Sequence, residues 1–255
     1  MNTVNLSQFV PYNLIMNKET SMIIEAGSIE PVYATRKLFD MKEVIYDKQW
    51  LESQKDNFNL YYMYRDLTRE EDKPIFQEHK VRFDVTIIPP NTLGKEFIKT
   101  AGHFHPEAMK DYSFPEVYEI MNGEGIYVLQ KDKINPETNE TEVIIINAIA
   151  GDQVLIPPGY GHVTINASPS ETLVMNNLVS SDFSSIYEPV KEHEGAAYFY
   201  LKSNEWKKNP NYDQDFYINE VQPGKFDKQP FYLSFIDNPE KWIFLNKPWK
   251  KDTWL

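Results

Sequence analysis

From Asn59 to Ser180 the chain reads as a succession of short apolar runs: NLYYMYRDL, KVRFDVTIIPP, GKEFIKTAGHFH, PEVYEIMNGEG, GIYVLQK, EVIIINAIAGD, QVLIPPGYG, HVTINA and ETLVMNNLVS. Each is rich in Val, Ile, Tyr, Phe or Thr, and Gly, Pro and Asn separate them. Short β-branched and aromatic runs at near-regular spacing predict an all-β sandwich or barrel. Upstream, TRKLFDMKEVIYDKQWLESQK mixes strand and helix periods and predicts a short helix near Asp47. Before Pro31 the pattern is weak. After Glu205 the texture changes to aromatics and prolines with little period, which reads as an irregular arm too short to supply a core of its own. The chain therefore divides into residues 1–205, a barrel with an N-terminal extension, and residues 206–255, an arm that packs on the barrel or on a second subunit.

Composition narrows the chemistry. The 255 residues are 41% hydrophobic and contain no cysteine. Disulfides and thiolate metal sites are excluded, so a metal would need His, Asp, Glu or backbone oxygen. Lys and Arg number 26 against 38 Asp and Glu, a net charge of −12. That balance argues against nucleic acid as a partner. It also opposes an anionic metabolite unless a local pocket reverses the field. The start of the chain lacks the pattern of a signal peptide, and the longest apolar run, VIIINAIA, is far too short to span a bilayer. The expectation is a soluble, cytoplasmic protein with no membrane partner.

Two motifs carry the candidate chemistry. The first is TAGHFHPEAMKDYSFPEVYEIMNGEG, Thr100 to Gly125. Strand side chains alternate faces, so His103 and His105 point one way and Phe104 the other, while Glu116, Tyr118 and Ile120 share a face on the next strand. The proline-bounded PEAMKDYSFP between them reads as a loop joining two antiparallel strands. The second motif, GDQVLIPPGYGHVTIN, turns at Pro157–Gly159 and begins a strand at His162. Three neutral imidazoles and a carboxylate suit a borderline transition metal and suit Ca or Mg poorly. His79 and His193 have no such company and read as surface or structural residues.

These motifs resemble the paired motifs of the cupin superfamily, small antiparallel jelly-roll-like β-barrels with a metal in the mouth, although the gap between His105 and Glu116 is longer than usual there. More narrowly, ATRKLFDMKEVIYDKQW, GKEFIKTAGHFH, PEVYEIMNGEGIYVLQ and IPPGYGHVTIN, in that order, are similar to the cupin-type glucose-6-phosphate isomerases, over roughly Thr35 to Tyr200. The resemblance implies one divalent metal per chain held by His103, His105, Glu116 and His162, with iron first and Mn, Ni, Co or Zn as alternatives. It implies a sugar-phosphate pocket that uses Thr86, Thr100, Gly102, Tyr61, Tyr118 and Tyr187. It also implies a homodimer that interconverts glucose 6-phosphate and fructose 6-phosphate. In several members a tyrosine and a histidine follow the last barrel strand, where this chain has Val and Ser in NNLVSSDFSSIYEPV.

For aldose–ketose isomerisation, Glu116 reads as ligand or proton shuttle and Tyr118 as a hydrogen-bond donor. An enediol route and a hydride shift both stay open. Thr hydroxyls, backbone amides and Lys95 or Lys99 would line the phosphate end. The alternatives are another metal-dependent cupin enzyme, such as a dioxygenase or another sugar-phosphate isomerase or epimerase, or a non-catalytic sugar-binding cupin. Thr100 and Gly102 have opposite parity to the histidines, so all four reach one pocket only if the chain is irregular near Gly102.

Overall fold

The structure, a computed structural model, describes residues 2–250. Twelve strands build two main sheets: β1 Ala34–Lys37, β2 Asn59–Tyr64, β3 Val81–Ile88, β4 Thr92–Leu93, β5 Glu96–Lys99, β6 Glu116–Asn122, β7 Glu124–Lys131, β8 Glu140–Ile149, β9 Gln153–Ile156, β10 Tyr160–Asn166, β11 Leu173–Ser180 and β12 Asp215–Glu220. The first sheet runs β9-β6-β11-β3-β2-β1 and the second β12-β8-β7-β10-β5-β4. Pairing is antiparallel throughout except at the edge, where β12 lies parallel to β8. The all-β expectation holds, in the form of two opposed sheets.

Three packed layers of side chains follow from strand alternation. Between the sheets, Ile88, Ile120, Leu173 and Met175 of the first meet Ile98, Tyr127, Leu129 and Ile146 of the second. The outer face of the first sheet, with Phe83, Val85, Ile87, Val117 and Leu178, is buried as well. An N-terminal sheet of Thr3–Asn5, Leu14–Asn17 and Met22–Ala26 covers it from one side. Residues 231–245 cover it from the other with Phe231, Tyr232, Phe235, Trp242, Phe244 and Leu245. Both faces being covered, β11 is buried at all eight positions, and its sequence LVMNNLVS shows no apolar–polar alternation. The outer face of the second sheet packs Val128, Val143, Val163 and Ile165 against Ala196 and Ala197.

Several sequence expectations are corrected in detail. The N-terminal strands are three to five residues long, too short for their period to stand out. PEAMKDYSFP does not join neighbours in one sheet. His103 and Phe104 bridge His162 and Ile186 on the second sheet's side, whereas Glu116 opens β6 in the first, so the segment crosses between sheets. It also carries a small hairpin, Glu107–Met109 with Tyr112–Ser113. His162 is the third residue of its strand rather than the first. The short helix is Lys48–Ser53, begun by Asp47, whose side chain accepts from the Trp50 amide at 3.1 Å. The arm is more regular than expected, contributing β12 and the helix Phe231–Asp237. Its last five residues, 251–255, lie outside the described residues.

Glu119 ties the arm to the first sheet. It is buried on the outer face of β6, where its carboxylate accepts from Asn176 Nδ2 at 3.0 Å and from the Phe231 amide at 3.3 Å. Burial raises its pKa above the usual carboxylate value, and these donors offset only part of the rise.

Candidate metal and sugar-phosphate site

A cavity of about 280 Å³ opens between the two sheets. Its floor on the first sheet is set by register. Glu116 on β6 lies opposite Val179 on β11, and Tyr118 opposite Asn177. Across β11, Val179 faces Arg82, Asn177 faces Asp84 and Met175 faces Thr86 on β3, and Thr86 in turn faces Met63 on β2. The other wall is built where the second sheet's His162 meets His103 in a single bridge.

His103, His105, Glu116 and His162 converge so that one ligating atom from each lies within 4.8 Å of the others. His103 Nε2 is 3.2 Å from His105 Nε2. Glu116 Oε2 is 3.4 Å from His105 Nε2 and 3.5 Å from His162 Nε2. His105 Nδ1–H donates to the Phe114 carbonyl at 2.8 Å, which leaves Nε2 as the lone-pair nitrogen turned to the cluster. Asn177 Nδ2 donates to Glu116 Oε1 at 2.7 Å, while Oε2 is buried with no hydrogen-bond partner among the described residues. An orphaned carboxylate oxygen facing imidazole nitrogens is costly unless a cation completes the set. The donor set therefore fits a metal ion.

Electrostatics agrees with that reading. Burial, reinforced by the neighbouring imidazoles and by Arg65 and Arg36, holds the His103 pKa well below its usual value. Burial depresses His162 to about 4. Both therefore stay neutral with a lone pair available. Burial alone would raise Glu116, but the close approach of His105 and His162 and the charge of Arg65 hold it below the usual carboxylate value. Tyr118, whose hydroxyl lies 3.1 Å from His162 Nε2, is pushed well above 10 by burial and by Glu116.

The remaining sequence-predicted residues line the same cavity: Tyr61, Thr86, Thr100, Gly102 and Tyr187. The parity conflict is resolved at Gly102. Strand β5 ends at Lys99, and Gly102 takes φ +80° before the chain rejoins at His103. A Cβ there would sit 2.6 Å from Val163 Cγ2, so only glycine allows the turn. Thr100 Oγ1 accepts from the Thr164 amide at 3.0 Å, and Tyr61 Oη accepts from the Ala101 amide at 3.3 Å. Each hydroxyl keeps its own proton for a ligand.

The lysine expectation is corrected. Lys99 is buried away from the cavity, with Nζ 2.6 Å from Glu96 Oε2 and over the Phe199 ring, and Lys95 does not line the cavity either. The cations there are arginines that the motifs did not flag. Arg65 and Arg82 line the wall beside Asp84. Arg36 sits against Tyr187, its Nη2 3.5 Å from the hydroxyl, and its buried Nε has no hydrogen-bond partner among the described residues. Asn177 was missed as well. The available signal was polarity out of place: two asparagines inside LVMNNLVS, and Arg82, Asp84 and Thr86 alternating along an otherwise apolar strand.

Comparison with known proteins adds a family. The model of the glucose-6-phosphate isomerase family matches residues 35–217. The chain is 29% identical to a glucose-6-phosphate isomerase of Thermococcus gammatolerans over 182 residues, 71% of this chain and 85% of that protein. It is 32% identical to one from Pyrococcus abyssi over 158 residues, 62% of this chain and 75% of that one. Among solved structures it is similar to an oxalate decarboxylase from Bacillus subtilis, with 16% identity and a TM-score of 0.36 over 54% of this chain and 30% of that one, a match too loose to argue from.

Proposed function

Because this chain belongs to the glucose-6-phosphate isomerase family, we propose that it interconverts glucose 6-phosphate and fructose 6-phosphate in the cavity between its sheets. The observation that carries the reading is one pocket containing both a three-histidine, one-glutamate cluster and the Thr, Tyr and Gly set suited to a phosphate.

His103, His105, Glu116 and His162 would hold one divalent transition metal, iron first and Mn, Ni, Co or Zn as alternatives. When bound, that ion supplies electrophilic help to the carbonyl and its neighbouring hydroxyl. At the other end, the Thr86 and Thr100 hydroxyls, the Gly102 amide and the Tyr61 and Tyr187 hydroxyls donate to the phosphate. Arg36, against Tyr187, offers the positive charge that a protein of net charge −12 must supply locally. Tyr118 keeps its proton across the working pH range and donates to a substrate oxygen at the reacting end. Glu116 stays ionised. In an enediol route it takes the proton from one carbon and returns it to the next, whereas in a hydride shift it remains a ligand.

Turnover of fructose 6-phosphate by the purified protein tests the reading. Activity should disappear with a chelator and return with Fe or Mn. Metal-loaded protein that binds fructose 6-phosphate yet never forms glucose 6-phosphate would leave a sugar-binding cupin instead. A cytoplasmic setting goes with this substrate. The reading also includes a homodimer, supported by the exposed apolar side chains Ile149, Tyr217, Ile218 and Val221 around edge strand β12. Light scattering should give about twice the 30.0 kDa of one chain.

A further inference from the structure

The cavity wall across β11 from Glu116 carries charge that the isomerase reading leaves unused. The Asp84 side chain there is fully buried. Its carboxylate accepts from Arg65 Nη1 at 2.6 Å, from Arg82 Nε at 2.8 Å to each oxygen, and from the Asp66 amide at 2.9 Å. Two guanidiniums against one carboxylate leave one positive charge in excess. Asp84 engages one nitrogen of each arginine, and Arg65 Nη2 meets Met63 Sδ at 3.3 Å. A guanidinium has five N–H donors, so both arginines keep donors for the cavity they line. Their side chains are 45% and 32% exposed, so a ligand can reach them. The buried carboxylate fixes both heads in advance, which lowers the ordering cost of binding.

Position gives this corner a meaning. Arg82 and Thr86 are four residues apart on one strand, roughly 13 Å, with Asp84 between them. Of the phosphate-suited groups, Thr86 and Tyr61 mark one end, Tyr61 lying two residues before the Met63 that faces Thr86. The arginine corner and Glu116 share the other end, with only Val179 between Arg82 and Glu116 in the row. We propose that Arg65 and Arg82, clamped by Asp84, form a second anion subsite that recognises a negatively charged oxygen at C1 of a six-carbon sugar phosphate. The orientation of the sugar rests on the isomerase reading. The charged oxygen comes either from the carboxylate of an aldonic-acid phosphate bound as a ligand or from the enediolate formed during turnover.

The test is calorimetric titration of 6-phosphogluconate and glucitol 6-phosphate, which differ only at C1, into wild-type protein, Arg82→Gln and Arg65→Gln. The wild type should favour the aldonate. In each variant that preference should shrink about 10-fold or more, the worth of one hydrogen bond between charged groups. Affinity for the neutral-headed glucitol 6-phosphate should stay within about 2-fold, which also shows the cavity intact. Arg65→Gln leaves the Arg82–Asp84 pair in place and serves if Arg82→Gln does not fold. An undiminished preference in both variants overturns the proposal. A matching fall in kcat supports the subsite and identifies the enediolate as its occupant, whereas an unchanged kcat with the preference lost supports it with the aldonate. Binding is read without turnover. A protein that discriminates at C1 but does not isomerise would remove the isomerase reading and keep the subsite, and turnover without discrimination would do the reverse.

Discussion

Asn177→Ala is the substitution whose outcome the site geometry constrains most. Asn177 Nδ2 holds Glu116 Oε1 at 2.7 Å, which leaves the other oxygen to face His105 and His162. The pair is buried, so water does not replace the lost donor freely. A hydrogen bond to a charged group is worth about 1.5–3 kcal/mol, which converts to roughly 10- to 150-fold in an equilibrium constant. Removing a partner that orients a metal ligand typically costs 10- to 100-fold in metal affinity. The two estimates overlap, so metal affinity should fall by about one to two orders of magnitude. Competition against a chromophoric chelator, with Mn electron paramagnetic resonance to follow the ligand set, reads this directly. Asn177→Asp should be worse, because it sets a second carboxylate against Glu116. Affinity unchanged within about 2-fold in Asn177→Ala, or raised because a freed Glu116 binds through both oxygens, would refute the role assigned to this residue.

Three further outcomes can be checked independently. In Glu116→Gln at saturating metal, a rate loss on the order of 10²-fold marks a proton shuttle, whereas recovery of most of the rate on adding metal marks a ligand only. Gly102→Ala forces a side chain at φ +80° into Val163. It should cost roughly 1–3 kcal/mol, seen as a Tm lowered by roughly 2–12 °C and a raised KM for the sugar phosphate. In metal-stripped protein, His162 has a folded pKa of about 4 against about 6.5 when unfolded. The unfolded chain therefore takes up a proton that the folded chain refuses. The stability this confers is complete above about pH 6.5 and lost as pH falls towards 4, amounting to about 3 kcal/mol. Urea midpoints that do not move between pH 7 and pH 4.5 would contradict it.

The sequence exposed the parts of the molecule whose residue types admit few explanations. His-x-His, a following glutamate and a Pro-Gly turn before a third histidine located the metal cluster, because few other arrangements use those groups together. The strands from β2 to β11, apart from the two-residue β4, were legible from their β-branched and aromatic composition. What stayed hidden depended on pairing between distant strands. Asn177 acquires its role only because β6 and β11 align Tyr118 with it, and Arg65 and Arg82 only because β2 and β3 bring both to Asp84. Lys99 was misjudged for a local reason: Glu96, three residues back on the same strand, takes its charge into the core. The N-terminal strands and the helix within the arm escaped notice because they are shaped by the face of the first sheet that they cover.

The two carboxylate–asparagine pairs on β6 and β11 stand back to back. Glu116 and Asn177 look into the cavity, while Glu119 and Asn176 look out towards the arm. The adjacent asparagines thus answer to different masters across one thickness of backbone. Any drift in the alignment of these two strands disturbs ligand geometry and arm docking together. A lineage that shed the arm would inherit Glu119 as a stranded charge beside a bare apolar face, and selection would have to replace it along with Asn176 while leaving their immediate neighbours untouched. Natural variation at 119 and 176 should therefore travel with the presence of the arm, and variation at 116 and 177 with the metal.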